Sequence, residues 1–171
     1  MRRLARCAAE AYARAITAGA CLALVLATLH IFADAVATKL FLSPINGTHQ
    51  IVTFYYMVAL FFLPLGYAES QGAHISADLG FSLLSRRLQR IATTANHLLL
   101  TGYVGLLCWY ATVKAIQQTE VGAYETIAGG QIPLWPSRWI AVMGLLAMLA
   151  IAALKALDSI LGAESDTETP A

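Results

Sequence analysis

The sequence predicts an all-α membrane protein: four transmembrane helices, a short amphipathic interfacial helix between the second and third, and both termini in the cytoplasm. Three observations carry this. Charged residues are 12% of the 171, against about 25% in a soluble domain. The mean hydropathy is +0.65, and the charges cluster so that long windows hold almost none; about 20 apolar residues at ~1.5 Å rise cross the ~30 Å hydrocarbon layer. The only long polar interruption in the middle, Gly66 to Ile91, carries Arg86, Arg87 and Arg90 near its end. A soluble bundle would repeat charges at every turn of its outer faces, and these windows do not.

The first span is expected at about 15–36, after a start bearing Arg2, Arg3, Arg6 and Arg14. The same pattern fits a secretory signal with Ala35-Val36-Ala37 as cleavage site, but the apolar run exceeds the ~7–15 residues of a signal core, which favours retention; the mass of the mature N-terminus decides between them. Ala15, Gly19, Ala23 and Ala27 recur at steps of four. Such a seam permits close helix approach in lipid, although an alanine-rich helix produces the spacing by chance as well. Ser43-Pro44 and Asn46-Gly47 mark a turn, and Asn46-Gly47-Thr48 matches a glycosylation acceptor pattern in a loop close to the membrane. The second span is expected at about 51–67, with Pro64 bending its last turn.

Within the polar interruption, Phe81, Leu84, Leu88 and Ile91 fall on one helical face and Ser82, Ser85, Arg86, Gln89 and Arg90 on the other, with Leu83 the exception. This predicts the interfacial helix at about 79–91, its arginines toward anionic lipid; the plainer alternative is the start of the third span. That span is expected at about 92–113, followed by a long outer loop rich in glycine and proline, and the fourth at about 137–157. Lys155 can snorkel to the interface. The acidic tail, 162–171, reads as disordered. Arg2, Arg3, Arg6, Arg14, Arg86, Arg87, Arg90 and Lys155 then share one side, against Lys39, Lys114 and Arg138 on the other, and the positive side faces the cytoplasm. Trp109, Trp135 and Trp139 all fall at the outer interface, as an aromatic belt does.

Chemistry is sparse. Cys7, Cys21 and Cys108 are far apart with no CxxC and read as small buried hydrophobes. His30 and Asp34 share a helix face and suggest a proton or cation site, but Asp34 falls where headgroups wet the span. A haem subunit needs paired histidines at one depth; His30 and His97 differ by about 13 Å along their helices, too far for ligand bonds of ~2 Å. No acid falls deep in a span, and no nucleophile, metal, cofactor or nucleic-acid pattern is present. The residues read as a non-enzymatic subunit; the rival class is a membrane anchor of a redox or assembly complex, which a Soret band would mark.

Two motifs carry a resemblance over about 34–150. One runs from Pro44-Ile45-Asn46-Gly47-Thr48-His49-Gln50-Ile51-Val52 through the second span to Gly72-Ala73-His74-Ile75-Ser76-Ala77-Asp78; the other is Ile132-Pro133-Leu134-Trp135-Pro136-Ser137-Arg138-Trp139, followed by Gly144. In this order and length the chain resembles the DctQ-like, four-helix small membrane subunit of tripartite ATP-independent periplasmic (TRAP) transporters. Many members carry a glutamate where this chain has Gln50, so an ionic contact there becomes at most a hydrogen bond. The resemblance implies a scaffold, in the bacterial inner membrane, beside a large permease subunit that holds the substrate and sodium sites, with a periplasmic binding protein delivering an organic anion such as a carboxylate. It implies no cofactor. His74 and Asp78 would organise the cytoplasmic loop, Pro133, Trp135 and Pro136 would shape the outer entry to the last helix, and Gly47 is a further structural or subunit-interface candidate. Arg86, Arg87 and Arg90 would meet lipid.

Overall fold

The computed structural model describes residues 2–71, 85–127 and 130–161. Its helices are α1 (Arg2–Phe41), α2 (Thr48–Ser70), α3 (Arg86–Glu120) and α4 (Trp135–Ile160). All four are long and apolar enough to cross a membrane. Each runs past the expected span at both ends, because an apolar window marks the part of a helix in hydrocarbon, and backbone hydrogen bonding continues beyond it. Of the expected interfacial helix, Arg86 to Ile91 form the first turns of α3 and Ser85 is its extended N-cap residue; 79–84, His74, Asp78 and the tail 162–171 lie outside the described residues.

One element departs from the expected all-helical pattern. The loop between α3 and α4 contains an antiparallel hairpin, β1 (Tyr124–Ile127) paired with β2 (Gly130–Pro133), with Tyr124 opposite Pro133 and Ile127 opposite Gly130. Its base is closed by Leu134 N–H donating to Ala123 O at 2.8 Å. α4 starts directly after it, with Pro136 in the first turn, where a missing N–H costs nothing.

α4 is the hub and packs against each of the other three helices. Its inner face is small and dense: Gly144, Ala147, Ala152 and Ala156 interleave with Val142, Leu145, Met148 and Ile151, all buried. Lipid tails are as apolar as leucine, so association here comes from close packing rather than water release. At Gly144 the approach is backbone to backbone: a Cβ there would lie 2.5 Å from Phe62 C and closer still to Phe62 O. At Gly66 it would lie 2.7 Å from Ala147 Cβ. α2 reaches this contact through Pro64, whose ring removes one rung of the ladder.

α1 packs its Ala20 against Ala59 and Leu63 of α2, with Ile16 and Ala23 beside them. Its buried alanines are Ala13, Ala20 and Ala27. A Cβ built on Gly19 would lie 3.8 Å from Leu63 Cδ1, an ordinary contact, whereas Ala15 is exposed. A strict step of four drifts about 40° per step on a 3.6-residue helix; Ala23 of the expected seam lies at the contact and Ala27 is buried, Ala15 is exposed, and the buried alanines recur at steps of seven. Cys108 is buried as expected; Cys7 and Cys21 are exposed on α1, which corrects their reading as core residues. Leu22, Phe32, Phe61, Leu99 and Leu106 also point outward, a liability in water and the normal state of a lipid-facing surface.

Gly144→Ala should therefore force α2 off α4 and cost about 1–3 kcal/mol in a denaturant titration in detergent. Gly102→Ala, where a Cβ would meet nothing within 4 Å, should stay within about 0.5 kcal/mol of wild type.

Candidate functional site

The polar side chains collect at the two ends of the bundle. At the hairpin end, α1 stops where Leu42 takes a left-handed φ of 51° and Pro44 blocks continuation. Ile45 N–H donates to Asp34 Oδ1 at 2.7 Å, which staples the loop back onto α1. Asp34 is thus a loop clamp. Thr48, buried, donates to Ile45 O at 3.0 Å, and its Oγ1 lies 3.5 Å from His30 Nε2. Gly47 has φ +88° and closes under the hairpin: a Cβ there would meet Ile127 Cδ1 at 2.8 Å and Ile132 Cδ1 at 2.9 Å. Glycine is needed twice over, for its backbone and for its absent side chain.

α2 then widens into a π turn over Val52–Tyr56. Such turns are rare and often sit at functional sites. Here two consecutive tyrosines serve the same end. Tyr55 hydroxyl donates to Pro133 O at 2.5 Å, and Tyr56 meets the His30 ring edge-on at 6.0 Å. The α3–α4 connection is tied as well, with Trp139 Nε1–H donating to Thr119 Oγ1 at 3.1 Å and Ser137 Oγ to Leu134 O at 2.8 Å. Pro133 therefore acts through its carbonyl. Trp135 and Trp109 are exposed, and Gln50 is half-buried with no side-chain hydrogen bond among the described residues.

At the other end, Glu69 is only 2% exposed. Lys155 Nζ lies 3.1 Å from its Oε1 and also donates to the Glu69 carbonyl. Asp158, one turn further along α4, is buried too, and Thr94 Oγ1 pairs with Ser159 Oγ at 2.7 Å. The last turn of α2 and the first turns of α3 are thus both locked to the end of α4. Lys155 turns inward to a carboxylate, which corrects its reading as a snorkelling residue. Arg87 and Arg90 are exposed on α3.

His30 and His97 stay apart. His30 belongs to the hairpin end; His97 lies one turn beyond Thr94, near the opposite end, with Nδ1 buried and unpartnered among the described residues. No three His, Cys, Asp or Glu side chains converge among the described residues.

Sequence reasoning missed the Glu69–Lys155 pair. Glu69 stands beside Ser70 and Gln71 and reads as the start of a polar loop; matching its depth to Lys155, the last cation of the fourth span, was the signal that could have found it. Tyr55 and the π turn left no sequence signal of this kind.

Four apolar helices clamped by polar contacts at both ends define a multi-pass integral membrane protein. The family model described as "Tripartite ATP-independent periplasmic transporters, DctQ component" matches residues 27–162, well over half of the 171, and the chain belongs to that family. It is a family of transporter components rather than of enzymes. No curated protein and no solved structure matches the chain.

Removing one partner of a buried ion pair strands the other charge. With Lys155 partly exposed, Lys155→Met should cost about 2–3 kcal/mol. The double variant Glu69→Gln/Lys155→Met should cost less than the sum of the singles, as read by a double-mutant cycle of unfolding in detergent. Tyr55→Phe should cost about 1 kcal/mol and speed amide exchange in the hairpin.

Proposed function

We propose that this chain is the small permease subunit of a TRAP-type secondary transporter in the bacterial inner membrane, taking up an organic anion of the carboxylate class by symport. It stands as a scaffold beside the large permease subunit and helps dock the periplasmic binding protein. Both termini face the cytoplasm, and the hairpin faces the periplasm. Family membership supports the partners and the substrate class, and the eight-to-three division of basic residues supports the orientation.

The observation that carries the scaffold reading is how the polar groups are used. Asp34 holds a loop, Glu69 and Lys155 hold each other, and Tyr55 holds the hairpin. Each bond fixes one element of this chain against another. The hairpin supports the docking reading: it is held from below by Gly47 and Tyr55 and presents Tyr124, Glu125 and Gln131 outward, a rigid polar surface that needs no ordering on contact.

Proteoliposomes test this. Uptake should require the chain, the large subunit and the binding protein together. Glu125→Arg/Gln131→Arg should lower uptake at limiting binding protein while leaving the two membrane subunits co-purifying. Substrate uptake by the isolated chain contradicts the scaffold role, unchanged uptake by the hairpin variant contradicts docking, and a periplasmic reporter signal from a fusion near Arg87 contradicts the orientation.

A further inference from the structure

α3 packs chiefly on α4, and its far side is open. A shallow depression there is lined by Ala95, Leu98, Leu99, Gly102, Tyr103 and Leu106. It shares Ala95 and Leu98 with a second depression that reaches Thr94 and Arg90, so the two form one track along the helix. Gly102 leaves open space in it, since a Cβ there would meet nothing within 4 Å. At the other end stand Arg90 and, one turn earlier, Arg87. Both are exposed, and neither has an ion-pair partner among the described residues.

We propose that this track binds one anionic phospholipid, with its phosphate at Arg87 and Arg90 and one acyl chain running past Ala95 and Leu98 to the open space at Gly102. The dimensions fit. Arg90 to Gly102 is 12 residues, a rise of about 18 Å, and one leaflet holds about 15 Å of hydrocarbon. The charge fits as well: a guanidinium matches phosphate with two parallel hydrogen bonds, and two guanidiniums without an ion-pair partner among the described residues favour a lipid with net negative charge over one whose phosphate is balanced by its own cation. The inference requires only that α3 crosses the membrane, and it is independent of the transport reading.

The test uses the full chain in nanodiscs that contain phosphatidylglycerol with a photoactivatable diazirine near the acyl terminus. Crosslinks mapped by mass spectrometry should concentrate between Leu98 and Leu106. Native mass spectrometry should show phosphatidylglycerol retained over phosphatidylcholine. Arg87→Gln/Arg90→Gln should lower that retention about 25-fold at low salt, at about five-fold per arginine, with helicity by circular dichroism unchanged. Gly102→Leu should displace the crosslinks while keeping the headgroup preference. Crosslinks spread evenly over α1 and α3, equal retention of the two lipids, or crosslinks indifferent to Gly102→Leu overturn the proposal in favour of ordinary bulk lipid. Loss of the α3 crosslinks when the large permease subunit is co-purified overturns it in favour of a partner helix.

Discussion

Among the described glycines, the tightest surroundings are where α2 meets α4, at Gly144 against Phe62 and at Gly66 against Ala147. Nothing bulkier than hydrogen fits at Gly144 without moving a helix. In lipid, where burying an aliphatic side chain against another brings little gain over burying it against an acyl tail, such proximity is the main source of helix association. The Glu69–Lys155 pair lies just beyond this crossing. The crossing fixes the separation of the helices and the ion pair fixes their register.

The remaining arrangement follows from that joint. α1 lies across Ala59 and Leu63 of α2, and α3 hangs on the other side of α4, joined near one end by Thr94–Ser159 and near the other by Thr119–Trp139. The π turn re-aims the start of α2 so that Tyr55 can hold the hairpin. Two polar ends with an apolar middle are what a bilayer requires, and here each end has its own set of bonds.

The spans were legible because hydropathy is a property of each segment alone. The buried ion pair was not, because Glu69 and Lys155 are 86 residues apart in sequence and only the packing of α2 on α4 joins them. The hairpin was hidden for a related reason: Tyr124 to Pro133 is short, flanked by glycine and proline, and too polar to show a buried face. Gly144 and Pro133 were noted in the sequence, yet their roles, a missing side chain and a carbonyl acceptor, are invisible without the partner strand or helix. The seam on α1 was legible in part: Ala23 packs at the contact and Ala27 is buried, while the drift of a four-residue step leaves Ala15 exposed.

The proposed scaffold role requires that the chain hold its shape. The most direct measurement is a pulsed electron-resonance distance between spin labels at Phe61 and Leu146, exposed positions on α2 and α4 that flank the crossing, in a cysteine-free chain assembled with the large permease subunit. A single narrow distance, identical with and without substrate and sodium, is the result expected of a fixed α2–α4 joint. A second population, or a shift of several ångströms on adding substrate, contradicts it.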